Sequence, residues 1–328
     1  MGQIGRRQFL IAAGASLTAR LVQAQEPGRM YRIGAIFGGG AETAQRYRAA
    51  FVDQLASRGF VEGKNLEIRY GPPTADYSGS EQFVTAMLAL KPDAIFTCYT
   101  SATRGAQSAT RTVPIVFSWV ADPIVAKLVQ SYAHPGGNIT GVSTRWGELL
   151  VKRLELAHEL LPNARRVAIT WASGAQYERL APPLRNAARR LGIELIELGA
   201  PSGWEDSVAR AASRGAEAVV PPFWFGIPGF REEGELMVRS ALKHRMPVIF
   251  GGAEMVEAGG LVSYGTDVIV SLRRGADLLA RVLRGERPAD LPVDQTTRFE
   301  LVLNLKTAKA IGLNVPQSIL LRADRVIE

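Results

Sequence analysis

Pro114-Ile-Val-Phe117 returns later in the chain as Pro247-Val-Ile-Phe250, at an offset of 133 residues. The same offset carries Arg32-Ile-Gly-Ala-Ile36 onto Arg165-Arg-Val-Ala-Ile169, and Gly59 onto Gly192. Each match falls at the same structural position: a first strand, the end of the first helix, a fourth strand. Three matches without a gap predict two lobes of one topology, and so long a period is a duplication, not a solenoid.

Between these markers, short apolar runs alternate with longer amphipathic ones. The strands expected are Arg32–Phe37, Asn65–Tyr70, Ala94–Thr97 and Ile115–Ser118, then Arg166–Trp171, Ile193–Leu198, Ala218–Val220, Val248–Phe250 and Leu261–Tyr264. Helical periodicity covers Ala44–Arg58, Ser80–Leu90, Glu148–Leu161 and Tyr177–Leu191. Strands that are apolar throughout and separated by helices predict α/β lobes, each with a parallel central sheet covered on both faces. The tail adds a helix over Val268–Arg284, then Leu291-Pro-Val-Asp-Gln295 and a strand over Phe299–Asn304. That is enough chain to return to the first lobe and re-enter the second, so several crossings would form a hinge beside a cleft. The expected lobes are 29–142 with 265–298, and 143–264 with 299–328.

The chain of 328 residues is 47% hydrophobic and 21% charged, which is globular and suits two domains. Cys98 is the single cysteine, so no internal disulfide and no thiolate metal cluster can form. His134, His158 and His244 are too dispersed for a histidine-rich metal site. The net charge of +8 includes Arg6, Arg7 and Arg20; without them +5 remains, spread along the chain. With no basic stripe, a nucleic-acid partner is not expected.

Residues 1–24 read as an export address. Arg6-Arg7-Gln8-Phe9-Leu10 resembles a twin-arginine signal, a weakly apolar run follows to Ala19, and Val22-Gln-Ala24 suits cleavage. The run is too short to span a bilayer. The expected mature protein begins near Gln25 and works in the periplasm, without stable membrane insertion and as a monomer.

In parallel sheets, ligands sit beyond the carboxyl ends of the strands. Here those ends carry Gly38-Gly39-Gly40, Cys98-Tyr99-Thr100-Ser101, Trp119-Val-Ala-Asp122, Trp171-Ala-Ser173, Pro222-Phe-Trp224-Phe225 and Gly251-Gly-Ala-Glu254. Three of the five tryptophans lie at these ends, which makes recognition the chemistry on offer. Gly38 and Gly39 let backbone amides approach a ligand, and Thr100 and Ser101 open a helix that can seat a carboxylate. Asp122 or Glu254 can pair with an ammonium group, and Tyr99, Trp119, Trp171, Trp224 and Phe225 can sandwich an apolar or aromatic body. The set suits a small zwitterion or organic acid, with an aromatic amino acid as the first choice. Structural roles compete for the same residues: a turn at Gly38–Gly40, a helix cap at Thr100 or Ser101, an N-cap at Asp122 before Pro123, core packing for each aromatic and for Cys98.

Enzymatic signatures are missing. The dinucleotide fingerprint fails at Thr43, where it needs glycine, and Arg69-Tyr70-Gly71 offers no acid for a ribose. Neither a phosphate-binding loop with its lysine nor a Gly-x-Ser-x-Gly elbow occurs. No catalytic residue, metal or cofactor is expected; a sensory module for a membrane receptor, or an exported enzyme on a similar fold, are the competing readings.

Four strings then carry a resemblance. They are Pro114-Ile-Val-Phe117 with Asp122-Pro123, Pro135-Gly-Gly-Asn-Ile-Thr-Gly141, Glu257-Ala-Gly-Gly-Leu-Val-Ser-Tyr-Gly265, and Phe299-Glu-Leu-Val-Leu-Asn-Leu-Lys-Thr-Ala-Lys-Ala-Ile-Gly312. In this order they resemble the ABC-transporter substrate-binding family that includes tryptophan and tyrosine binders. The likeness runs from about Arg32 to the final Arg322-Ala-Asp-Arg-Val-Ile-Glu328. It implies a type I periplasmic-binding-protein fold: two Rossmann-like lobes with parallel central sheets, joined by a multi-crossing hinge. It also implies delivery of a small ligand to a membrane permease powered by a cytoplasmic ATPase.

Overall fold

The computed structural model describes residues 28–38, 41–71, 79–171, 174–199, 204–221 and 231–328. The export segment expected over 1–24 lies outside them. In chain order the elements are β1 (Tyr31–Ile36), α1 (Ala41–Ser57), β2 (Leu66–Tyr70), α2 (Ser80–Leu88), β3 (Ala94–Cys98), α3 (Thr100–Ala109), β4 (Ile115–Val120) and β5 (Ile139–Ser143). Then follow α4 (Trp146–Leu160), β6 (Arg166–Trp171), α5 (Gly174–Leu191), β7 (Glu194–Gly199), α6 (Trp204–Ser213), β8 (Ala218–Val220), α7 (Arg231–Lys243), β9 (Ile249–Phe250), α8 (Ala253–Glu257) and β10 (Val262–Gly265). The tail holds α9 (Val268–Leu283), β11 (Asp294–Gln295), β12 (Glu300–Asn304), α10 (Leu305–Ile311), α11 (Gln317–Leu320) and β13 (Arg325–Ile327).

Two sheets result. The first runs β2-β1-β3-β4-β5-β11, parallel throughout. The second begins β7-β6-β8 and continues through a parallel bridge from Val219 to Val248 into β9-β10-β12-β13. Only the β10–β12 pairing is antiparallel. Each sheet is covered on both faces. Phe51 and Leu55 of α1 join Leu272 and Leu279 of α9 on one face of the first sheet, while Val84 and Met87 of α2 join Ala102 and Ala106 of α3 on the other. In the second, Leu150 and Leu154 of α4 pack with Leu184 of α5, and Val208 of α6 with Met237 and Val238 of α7 lies opposite.

The echo read in the sequence has a physical cause. Gly59 and Gly192 both take left-handed φ values, 88° and 67°, just past the first helix of each half. In each half the amide of the residue after the glycine turns back: Phe60 donates to Leu55 O, and Ile193 to Ala188 O, both at 2.9 Å. Only glycine adopts that conformation at no steric cost, so both helices stop with the same hydrogen-bonded turn.

Three segments connect the sheets, one after β5, one after β10 and one between β11 and β12. The first and third touch: Thr296 donates its amide to Ser143 O at 3.0 Å, and the first is held to β4 by the Thr144 amide, which donates to Val120 O, also at 3.0 Å.

The strand β5 was not among the expected ones. Ile139, Thr140 and Val142 are β-branched, but Gly141 at its centre interrupts the apolar run that marks the other strands. The glycine is required by contact, since a Cβ there would lie 2.1 Å from Phe117 O on the paired strand. Gly141→Ala is expected to destabilise the fold by about 2–3 kcal/mol in urea unfolding, because β4 and β5 must separate to admit the methyl group.

Candidate functional site

Tyr99 and Trp119 stand at the carboxyl ends of β3 and β4, in the first lobe's sheet. Their rings stack, with centroids 5.7 Å apart and planes 20° apart. Both backbones are left-handed: Tyr99 has φ 71° and ψ 159°, and Trp119 has φ 55°. For bulky side chains such conformations cost about 1–3 kcal/mol each, so the surrounding structure must hold them. It does so through hydrogen bonds. The Tyr99 amide donates to Ser118 O at 3.0 Å, and its carbonyl accepts from both the Thr103 amide and the Thr103 hydroxyl, the latter at 2.7 Å. Trp119 lies where the β4–β5 register shifts between Phe117 and Val120. That irregularity is a bulge, which re-aims a side chain that a regular strand would point elsewhere.

Tyr47 of α1, which the sequence reading passed over, joins this pair. Its phenol is held well above the usual tyrosine range, first by burial and then by the charge of Glu254, with the neighbouring Tyr99 side chain drawing it the other way. Glu254 belongs to α8 in the other lobe, so the charge acts across the gap. Burial pushes the Glu254 carboxyl up, its own backbone amide opposes this, and Glu257 and Asp267 push further up. Arg46 of α1 draws it back down, more weakly.

These groups surround a cavity of about 350 Å³ between the lobes. One wall carries Arg46 and Tyr47; the other carries Gly251, Gly252 and Glu254. The crossing segment Gly265-Thr266-Asp267 lines it as well. Asp267 caps α9 by accepting from the Ile269 amide at 2.7 Å. The Thr266 hydroxyl is buried against the cavity with no hydrogen-bond partner among the described residues. Such a group costs free energy until something bonds it. At the mouth, Arg325 of β13 pairs with Glu257 at 2.7 Å.

The sequence-predicted residues divide. Glu254 lines the cavity, and Tyr99 and Trp119 are linked to it through Tyr47. Gly38 is buried just past β1. Thr100 and Ser101 are the first two residues of α3, the first half-buried and the second exposed; the N-cap position is Tyr99 and has no side-chain cap. Asp122 Oδ1 accepts from the Ile124 and Val125 amides, both at 3.0 Å, so it caps the turn that follows Pro123. Trp171 is half-buried and packs on the apolar cluster of the second lobe. Gly39, Trp224 and Phe225 lie outside the described residues. Among the described residues, no group of three or more His, Cys, Asp or Glu side chains could hold a metal ion. No helix among them is long and apolar enough to cross a membrane.

Tyr47 continues the buried stripe of α1 with Ala44, Phe51 and Leu55, a period that reads as core. Arg153 is hidden for the same reason, fully buried in α4 among Leu149, Leu150, Leu154 and Leu160. The one available signal was a polar atom within an apolar stripe.

Because burial raises the Glu254 pKa, the folded protein keeps this proton at pH values where the unfolded chain has released it. The resulting stability is present at low pH and is lost as pH rises through the folded value. Glu254→Gln is therefore expected to melt higher than the parent at about pH 7, with the difference closing near about pH 4. Thermal melts across that range check it.

Comparison with known proteins gives this geometry a lineage. The model of the family described as ABC transporter substrate binding protein matches residues 41–327. A tyrosine-binding protein of Clostridioides difficile (strain R20291) is 25% identical over 269 residues, covering 81% of this chain and 76% of that protein. The crystal structure of a conserved domain protein from Vibrio cholerae O1 biovar eltor is 27% identical with a TM-score of 0.79, covering 91% of this chain and 100% of the other. An ABC domain from Streptococcus pneumoniae, solved in complex with L-Trp, reaches the same TM-score and coverage at 24% identity. Two α/β lobes with parallel central sheets, bridged by three crossings, are the type I periplasmic-binding-protein fold. The chain belongs to the ABC transporter substrate-binding protein family.

Proposed function

We propose that this protein is exported through its first 24 residues, cleaved near Ala24, and captures an aromatic amino acid in the interlobe cleft. The lobes 29–142 with 265–298 and 143–264 with 299–328 act as jaws. They close over the ligand about the three crossings, because only the closed form touches it from both sides. The closed protein, a monomer without cofactor or catalytic step, then hands its cargo to an ABC permease driven by a cytoplasmic ATPase.

The observation that carries this reading is the stacked Tyr99–Trp119 pair, held in costly backbone conformations and packed with Tyr47, which lines the cavity. Strain of this kind persists where it serves a site. The cavity volume of about 350 Å³ falls in the range of small-molecule sites. Glu254 suits the ligand ammonium, and the Thr266 hydroxyl offers a bond to its polar end. In this reading the ligand carboxylate is received by Gly38, Gly39, Thr100 and Ser101 and its apolar body by Trp171, Trp224 and Phe225, while Asp122 supports the turn after Pro123. The names of the relatives point the same way, one being a tyrosine-binding protein and another a complex with L-Trp.

Titration calorimetry of the mature protein against L-tryptophan, L-tyrosine, L-phenylalanine and L-leucine tests the reading. Saturable one-to-one binding of aromatic members ahead of leucine is expected; binding of none would end it. Trp119→Ala is expected to weaken that binding by about tenfold or more, through loss of the stack. Thr266→Val, which keeps shape and removes the hydroxyl, is expected to weaken it by about three- to tenfold.

A further inference from the structure

Arg153 is an arginine at a core position of α4, the first helix after the first crossing, and its side chain has no exposed surface. Its Nε donates to Tyr264 O at 2.8 Å, next to the end of β10 and the start of the second crossing. The rest of its guanidinium lies against Gly251, at the end of β9. A Cβ built on that glycine would stand 2.7 Å from one terminal nitrogen and 2.9 Å from the central carbon. Gly251, and Gly265 next to Tyr264, both line the interlobe cavity. Gly251 also begins the short loop that carries α8 and therefore Glu254. One planar group thus touches both strand ends that form the second lobe's wall. Burial pulls its pKa down to about 9, which leaves it charged at neutral pH.

A lysine or an aliphatic residue would fill the space but could not meet both ends, since only the guanidinium presents a flat fork of donors in fixed directions. Burying that charge is expensive, and apolar replacements of buried ionic groups are often neutral or stabilising, so stability does not account for its place. We propose that Arg153 is a positioning residue for ligand capture: it touches no ligand, and it fixes the Gly251–Glu254 loop against the second crossing, so that the wall bearing Glu254 and the hinge move as one piece. The proposal rests on the cleft being the ligand site, and it assigns the tightness of that site to a contact beneath its floor.

The test is a double-mutant cycle with L-tryptophan as probe, read by calorimetry alongside thermal melts and amide hydrogen exchange of residues 251–267. Arg153→Met is expected to keep the parent melting temperature or exceed it, yet bind about tenfold more weakly and exchange faster in that segment. Arg153→Lys should recover part of the affinity. Gly251→Ala in the parent should show a comparable loss, because its methyl group displaces the guanidinium. In the Arg153→Met background the same change should cost little, since the fork it collided with is gone. Parent-like affinity and exchange in Arg153→Met, or fully additive losses in the double variant, would overturn the proposal. If Arg153→Met does not fold, Arg153→Lys and Gly251→Ala carry the same comparison. Failure of the parent itself to bind any aromatic amino acid would count against the functional reading alone. The exchange difference would still decide whether Arg153 holds the loop.

Discussion

A strand that pairs parallel to its predecessor can be reached only by a crossover, so all carboxyl ends of such a sheet collect on one edge. Both sheets obey this except at β12 and β13, which run against the rest of the second, and each sheet gathers the carboxyl ends of its other strands on one edge. The crossings after β5 and β10 leave from those edges, as does the return after β11, so the chain that joins the lobes also sets their loop-bearing rims beside each other. The cavity between Tyr47 and Glu254 follows from that arrangement. No special interface is needed to create it, only the rule that parallel strands share a direction.

Within the rim, ordinary folding rules are set aside at two neighbouring positions. Tyr99 and Trp119 take backbone conformations that glycine would adopt more readily, and the hydroxyls of Thr97 and Thr103, 2.9 Å apart and fully buried, sit directly beneath the first of them. Further along, Ser118 meets Ser271 of α9 at 3.1 Å, which ties the bulge to the helix that follows the second crossing. The aromatic platform is thus anchored to the hinge as well as to its own strands.

Much of the fold was legible because it depends on periodicity. The β6 and β8 spans matched their expected residues, and the duplicated glycines at 59 and 192 stop both helices by the same turn. What escaped did so for identifiable reasons. Strand β4 was expected to stop at Ser118 and runs to Val120, its register shifting across Trp119, whose backbone conformation leaves no mark in the sequence. β5 hides behind a central glycine whose cause, the carbonyl of Phe117, is distant in sequence. Of the site, Glu254 and the Tyr99–Trp119 pair could be read from strand ends. Tyr47 could not, because the helix stripe that buries it also disguises it. Thr266 lacks any local mark, since an unsatisfied hydroxyl is a property of its neighbours.

Cys98 closes β3 directly before Tyr99, fully enclosed, and its burial pushes the thiol well above its ordinary range. It is also the sole sulfhydryl in the sequence. A protonated, enclosed thiol is a poor nucleophile. Cysteines introduced on the outer surface of each lobe would consequently take up maleimide dyes ahead of it, and the native residue need not be replaced. The molecule therefore comes ready for two-colour distance measurements of how its halves approach.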